Sequence, residues 1–308
     1  MTLHQASGRW RLGLGLSLAT ALLWATLPIA LKLALERLDP ITLTWFRFLV
    51  AALLTAAWLG WRGRLGGYGA LDRRGRWMLA VAALMLVGNY VFYLLGVHHT
   101  TPANAQLLIQ LAPLLMALGG IAVFRERFLA AQWCGLALLV AGLLLFFRDQ
   151  RAHATSGGYD LGSALVALAA VVWAIYALLQ KQLLMRLDSM RILLAIYVAA
   201  ALLLWPFARP SALLHLGGMH WWLLAYCALN TVAAYGAFAE ALAHWEASRM
   251  SAILATTPLL CIAAVAASHA LWPTLVAAER ITALGYAGAA LAVVGSIAIS
   301  LFGARRGR

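Results

Sequence analysis

Residues 98–128 read HHTTPANAQLLIQLAPLLMALGGIAVFRERF, a run long enough to cross a bilayer that nevertheless carries Asn104, Gln106, Gln110 and the prolines Pro102 and Pro113. About 20 apolar residues span the hydrocarbon core as a helix, and polar side chains inside such a run face a bundle interior or a hydrated cavity. On a helix, Gln106, Gln110, Pro113 and Ala117 stand at i, i+4, i+7 and i+11 and share one face that can turn away from lipid. Pro113 has no N–H to offer the carbonyl of Ile109, so the helix either kinks there or has that carbonyl satisfied from the cavity. The stretch predicts a membrane helix whose polar stripe lines an internal path.

The rest of the chain has the same character. Of its 308 residues 64% are hydrophobic and 11% charged, and the mean hydropathy is +0.87; a soluble core cannot bury that much apolar surface. Apolar runs of spanning length recur at 12–33, 40–60, 77–97, 102–124, 128–147, 160–180, 189–207, 219–239, 250–271 and 281–302. In hydrocarbon the backbone must satisfy its own hydrogen bonds, and the short alternating segments of a barrel are not seen, so the runs are helical. Residues 1–308 are expected to form one all-α polytopic membrane domain of ten transmembrane helices. The first run follows Arg9 and Arg11 but continues to Leu35, too long for a cleaved signal, so a retained signal anchor is expected.

A net charge of +13 would suggest nucleic acid as a partner of a soluble chain. Here the distribution explains it. With the N-terminus cytoplasmic, 16 of the 23 Lys and Arg residues fall on inner segments, most densely at 62–76 and 305–308, and 6 on outer ones. Basic residues are retained on the cytoplasmic side, so both termini are expected inside a bacterial-type inner membrane, with lipid rather than nucleic acid as the surrounding partner. Cys134, Cys227 and Cys261 all lie within runs and read as small core residues. His98 and His99 are adjacent on a short outer loop, where neighbouring side chains diverge, and no metal site is expected.

An internal repeat organises the chain. Trp24, Lys32 and Arg37-Leu38-Asp39 return 149 residues later as Trp173, Lys181 and Arg186-Leu187-Asp188. Pro113-Leu114-Leu115 matches Pro258-Leu259-Leu260, and Gly135 with Gly142 matches Gly288 with Gly295. The halves are 12–147 and 159–302, with five runs each; an odd number makes the second half enter from the opposite side. Inverted repeats are the architecture of secondary transporters, with the substrate site near the midplane between the halves.

At these residues the chain resembles a known family. The first run with Trp24, LTWFRFLVAALL around Arg47, TPANAQLLIQLAPLLMALGGIAVFRERF ending beyond Glu126, and GLALLVAGLLLF at 135–146 are similar to the EamA-type transporters of the drug/metabolite transporter superfamily. The second copy departs from the pattern at SHALWPTLVAAER, where Glu279 stands further out than the acid expected there. The resemblance implies a carrier that exports amino acids or related metabolites from the cytoplasm. Multidrug efflux, uptake of a nucleobase or similar metabolite, and flipping of a lipid-linked sugar are the alternatives.

Candidate path-lining residues follow from shared faces. They are Trp24; Asn89 and Tyr93, one turn apart; Gln106, Gln110 and Pro113; Trp173, Tyr176 and Gln180; Asn230 and Tyr235; and Thr257 with Pro258, which repeats the proline interruption. Such amides, phenols and indoles suit a small zwitterionic or aromatic metabolite better than a bare ion, although Asn and Gln also hold helices together. Arg47 sits about 10 Å deep at 1.5 Å per residue, where an unpaired charge costs roughly 2.5–3.5 kcal/mol. It either binds a substrate carboxylate or snorkels to the outer interface and caps a helix end. Lys32 is expected at the outer interface, and Glu240, a possible proton carrier, in solvent beside the inner loop. Neither lysine follows a glycine, so there is no phosphate-binding loop, and H-E-x-x-H and G-x-S-x-G do not occur. No enzyme and no cofactor is expected. A monomer and a homodimer both stay open, because Gly135 and Gly142 would serve either.

Overall fold

The computed structural model describes residues 9–112, 114–115, 118–119, 129–153, 157–244 and 253–303, with the backbone alone at 70, 181, 239, 242, 243 and 300–303. Most of these residues are helical, with no strand among them. In chain order the helices are α1 (Trp10–Ala34), α2 (Pro40–Trp61), α3 (Arg73–His99), α4 (Pro102–Leu108), α5 (Ala130–His153), α6 (Tyr159–Leu183), α7 (Ser189–Leu204), α8 (Gly218–His244), α9 (Thr257–Leu271) and α10 (Ala283–Gly303). Among the described residues, α1, α2, α3, α5, α6 and α7 with its 3-10 extension to Phe207 are long and apolar enough to cross a membrane. α9 and the Ala283–Ile299 part of α10 are shorter apolar helices. Large apolar side chains lie on the outside, such as Leu53, Leu144 and Leu202; an apolar exterior of this extent marks a membrane surface.

Short polar residues start the helices. Asp39 accepts from the N–H groups of Ile41 and Thr42 and from the Thr42 hydroxyl, with Pro40 at the first helical position of α2. Asp188 does the same for α7, accepting from the Arg191 N–H. The repeated Arg-Leu-Asp triplet is thus a helix start used twice, its leucines Leu38 and Leu187 both buried. Asp72 caps α3 through the Gly75 N–H, which pulls the helix start back to Arg73 from the expected 77. Thr101 caps α4 through the Asn104 N–H, ahead of Pro102. His98 and His99 are the last residues of α3 rather than loop residues, because the extended Thr100–Thr101 pair required before Pro102 comes after them.

The core forms where helices from the two halves meet. α1 packs on α8 and α9, α2 on α7 and α8, α3 on α6 and α7, α4 on α9 and α5 on α10. Phe48, Tyr90, Ile192, Ile196 and Tyr197 make one cluster, and Leu139, Leu143, Phe146, Ala289 and Ala292 another. α5 and α10 approach through glycine. A methyl group on Gly142 would lie 2.4 Å from the Ala292 nitrogen and 2.5 Å from the Gly288 oxygen; one on Gly295 would lie 2.4 Å from the Leu139 nitrogen and 2.5 Å from the Gly135 oxygen. This face is consumed within the chain. It also overturns one expectation: α5 turns Gln132, Gly135, Leu139 and Gly142 inward, which leaves Cys134 on its exposed side, whereas Cys227 and Cys261 are buried as expected.

Polar contacts close the two ends. At the near end, where α1 begins, Arg186 pairs with Asp72, Arg64 and Arg191 pair with Asp188, and the Tyr68 hydroxyl donates to the Arg191 carbonyl. At the far end Asp149 holds the start of α10, accepting from the Thr282 N–H and hydroxyl.

Candidate functional site

Arg47 lies on the buried face of α2 and is 2% exposed. Its Nε donates to the Cys227 carbonyl at 3.3 Å and to the Thr231 hydroxyl at 3.2 Å, both on α8. The guanidinium carbon stands 4.9 Å from the centre of the Tyr90 ring, a cation–π contact out of water. Arg47 does not snorkel: bonds to α8 and the ring on α3 hold it inside the bundle. Among the described residues no carboxylate lies within ion-pair distance, and its hydrogen bonds run through Nε alone. A guanidinium carries five N–H donors in a planar fork, and the four on the terminal nitrogens have no partner among the described residues.

Aromatic rings surround this cation. Phe48 packs on Tyr90 at 4.5 Å and on Tyr197 at 5.8 Å. The charge of Arg47 reaches Tyr90, Tyr93 and Tyr197. Tyr235 lies one turn beyond Thr231 on α8, with Trp24 of α1 edge-on at 5.7 Å and Phe238 behind Trp24 at 5.8 Å. Asn230 on α8 donates to the Leu23 carbonyl at 2.8 Å and to the Tyr226 hydroxyl at 3.1 Å, while its buried Oδ1 has no partner among the described residues.

The two interrupted helices meet beside this group. Pro113 itself lies outside the described residues, yet the carbonyl it frees is accounted for. The Ile109 oxygen accepts from the Ala112 N–H at 2.9 Å, a tightened turn that ends α4 after Leu108. Pro258 frees the Leu254 carbonyl, which accepts from the Thr257 hydroxyl instead. The Gln110 amide then donates across to the Ala255 carbonyl at 3.3 Å, so one break is tied to the other. Gln106, the turn before, accepts from the Tyr93 hydroxyl at 3.2 Å.

Other candidates take different places. Asn89 donates to the Ala169 carbonyl and fastens α3 to α6. Trp173 and Tyr176 pack edge-to-face at 6.4 Å against the Tyr90 cluster, with Gln180 half-buried one turn below Tyr176. Glu240 is exposed, held by His244 at 3.1 Å near the end of α8. Lys32 is half-buried near the end of α1, where its ammonium donates to the carbonyls of Val97, His98 and Thr100 at 2.7–2.8 Å and caps the end of α3. Asn104 is satisfied on every side, donating to the Thr100 and Ser163 hydroxyls and accepting from Tyr159.

The structure therefore gathers Arg47, Tyr93, Gln106, Gln110, Trp24, Tyr235 and Thr257, and adds Tyr90, Tyr197 and Phe238, which the sequence reading missed. Tyr90 had one available signal, its three-residue spacing from Tyr93. Nothing in the sequence announces that Phe238 meets Trp24.

The model of the EamA-like transporter family matches the chain twice, over residues 11–148 and 160–301. The chain is 35% identical over 292 residues to the uncharacterized inner membrane transporter YhbE of Escherichia coli (strain K12), covering 93% of this chain and 90% of that protein. It is 25% identical over 312 residues to a probable amino-acid metabolite efflux pump of Salmonella typhimurium, covering 94% and 95%. A crystal structure 19% identical in sequence superposes with a TM-score of 0.64 over 98% of this chain and 100% of that one, which places both in one fold.

Proposed function

Because the chain belongs to the EamA-like transporter family and is a multi-pass bacterial inner membrane protein, we propose that it is a secondary carrier. It exports an amino acid or a closely related carboxylate from the cytoplasm by alternating access. The reading takes ten membrane helices in two inverted five-helix repeats, 12–147 and 159–302, with both termini cytoplasmic.

The packing supports the repeat. Exchange of the halves turns the α1–α8 contact into α6–α3 and the α2–α8 contact into α7–α3, while the α2–α7, α4–α9 and α5–α10 pairs exchange with themselves. The two matches to the family model fall on the same division. The excess of Lys and Arg on segments 62–76 and 305–308 supports the orientation.

The observation that carries the substrate class is Arg47, a buried cation with no acidic partner among the described residues and with unused paired donors. A carboxylate would complete it in bidentate geometry. Trp24, Tyr90, Tyr235 and Phe238 then offer an apolar wall to the rest of the solute, and Gln106 and Gln110 offer amides for an ammonium. The printed name of the Salmonella typhimurium relative agrees with this class.

The test is counterflow of radiolabelled amino acids in proteoliposomes. A transported amino acid should compete with itself, while its amide and its decarboxylated amine should compete about 10- to 100-fold less well. That range converts the 1.5–3 kcal/mol typical of charged hydrogen bonds at 1.4 kcal/mol per tenfold. Equal competition by the amine would remove Arg47 from the binding site.

A further inference from the structure

Glu279 lies in the segment between α9 and α10, at the far end of the bundle, and its carboxylate is buried. Oε1 accepts from the Ala103 N–H at 3.3 Å, with the Thr101 hydroxyl beside it. Oε2 is buried without a hydrogen-bond partner among the described residues. The same side chain lines a cavity of about 150 Å³ together with Val265, His269, Ile281 and Tyr286. A carboxylate oxygen buried and unpaired is costly when ionised, and the cost vanishes when it carries a proton.

Among the described residues the charges around it are few. From α1, Lys32 acts on Glu279 through space while its ammonium is bonded to the carbonyls at the end of α3. From α6 and α9, Tyr159 and Cys261 lie within electrostatic reach. His269 of α9 shares the cavity but turns Nδ1 to the Val276 carbonyl, and Tyr286 comes from α10. Arg280, next in the chain, has its carbonyl engaged by Gln150 of α5, and Asp149 of α5 is occupied with Thr282. Burial outweighs the attraction of Lys32 and pushes the Glu279 carboxyl up to about 7.

Lys32 and Glu279 brace one corner from two sides: the lysine holds residues 97–100 and the glutamate holds the start of α4. α4 is also the helix whose Gln110 is tied to the break before α9. We propose that Glu279 is the coupling-proton site of the carrier: with a proton on Oε2 it stays docked at the start of α4 and keeps the outer side closed, and loss of that proton releases it toward water. The ionised form, buried with Oε2 unpartnered among the described residues, gains most by leaving this corner, because burial outweighs both the Ala103 bond and the attraction of Lys32. The proton comes from water on the outer side and leaves to water on the inner side after the exchange of states, so an outward solute moves against an inward proton.

The proposal rests on the carrier reading, and the experiment separates the two. Full-length protein in lipid is titrated by infrared spectroscopy, following the carbonyl band of protonated carboxyl groups. A band should rise as pH falls through about 7 and be missing from Glu279→Gln. A wild type without that band, or a band retained in the variant, overturns the assignment, and neither result depends on any substrate. Proteoliposomes then receive a mixture of radiolabelled amino acids. Glu279→Gln should keep counterflow at equal pH on both sides but lose most of the accumulation driven by a pH gradient, while Glu279→Asp retains part of it. Accumulation that is undiminished in Glu279→Gln, or driven by sodium alone in the wild type, overturns the coupling. Failure of the wild type to exchange any amino acid overturns the substrate class instead, and leaves the infrared titration to decide Glu279.

Discussion

Replacing Gly142 by alanine puts one methyl group into the seam between α5 and α10, and its cost can be worked from the geometry. The new Cβ would lie 2.4 Å from the Ala292 nitrogen and 2.5 Å from the Gly288 oxygen. Ordinary contact begins near 3.4 Å, so one backbone must move by about 1 Å, and no flexible side chain is there to yield. Overpacking costs roughly 1–3 kcal/mol, and a backbone obstacle places this case at the upper end. Alanine is intrinsically better in a helix by about 1 kcal/mol, which leaves a net loss near 2 kcal/mol. Gly236 in α8 is the control, since a methyl group there meets nothing within 4 Å and should gain up to about 1 kcal/mol. The two variants should differ by about 3 kcal/mol, roughly 100-fold in a folding equilibrium. The assay is the thermal midpoint in one detergent at one scan rate, followed by loss of the monodisperse species. Gly142→Ala should melt about 4–8 °C below the wild type, at roughly 2–4 °C per kcal/mol for a chain of this class, and Gly236→Ala at or slightly above it. Equal midpoints for the two variants would refute the claim that the backbones touch.

The remaining expectations are shorter. Gln106→Leu with Gln110→Leu should abolish counterflow while the protein still inserts, because leucine favours both helix and membrane; normal transport would remove the pair from the path. Asn104→Ala removes one bond each from the Tyr159 and Ser163 hydroxyls and should lower stability by about 2 kcal/mol, whereas adding Tyr159→Phe should cost less than the sum of the single changes. Glu279 carries a raised carboxyl, 4.5 ordinarily and about 7 here, so burial favours the protonated form and the wild type loses stability as pH rises from below 5 to above 7. Glu279→Gln should match it at low pH and exceed it at pH 8 by up to about 3 kcal/mol; a gap that shrinks as pH rises would contradict the sign.

Much of the fold was legible because hydrocarbon restricts the alternatives. Runs of apolar residues of spanning length have one structural solution, and the Arg-Leu-Asp triplets at 37–39 and 186–188 mark helix starts that the structure uses. Ends were less legible wherever a polar side chain extended a helix past its apolar run. α5 continues to His153, its last turn held by the buried Asp149 and Gln150, and α3 begins early on the Asp72 cap. For the site, periodicity found Gln106, Gln110 and Tyr93 because they share faces within single helices. It could not choose between two fates for Arg47, since the deciding atoms, a carbonyl at 227 and a hydroxyl at 231, lie far away in the chain. The partners of Lys32 stayed hidden for the same reason: depth along α1 says nothing about the end of α3 that its ammonium reaches. Asn89 looked identical to Gln106 in pattern, and its bond to Ala169 makes it a fastening between helices.

Where the backbones of α5 and α10 touch through Gly135, Gly142, Gly288 and Gly295, there is no layer of side chains to act as a bearing. Sliding one helix along the other would bring leucines such as Leu139 and Leu145 to places sized for a hydrogen atom. We expect this pair to serve as a fixed axle, with the distance across it unchanged between the two ends of the transport cycle when measured by paired spin labels. The helices that swing are then the ones joined by larger side chains, whose rotamers can be exchanged for one another at little cost.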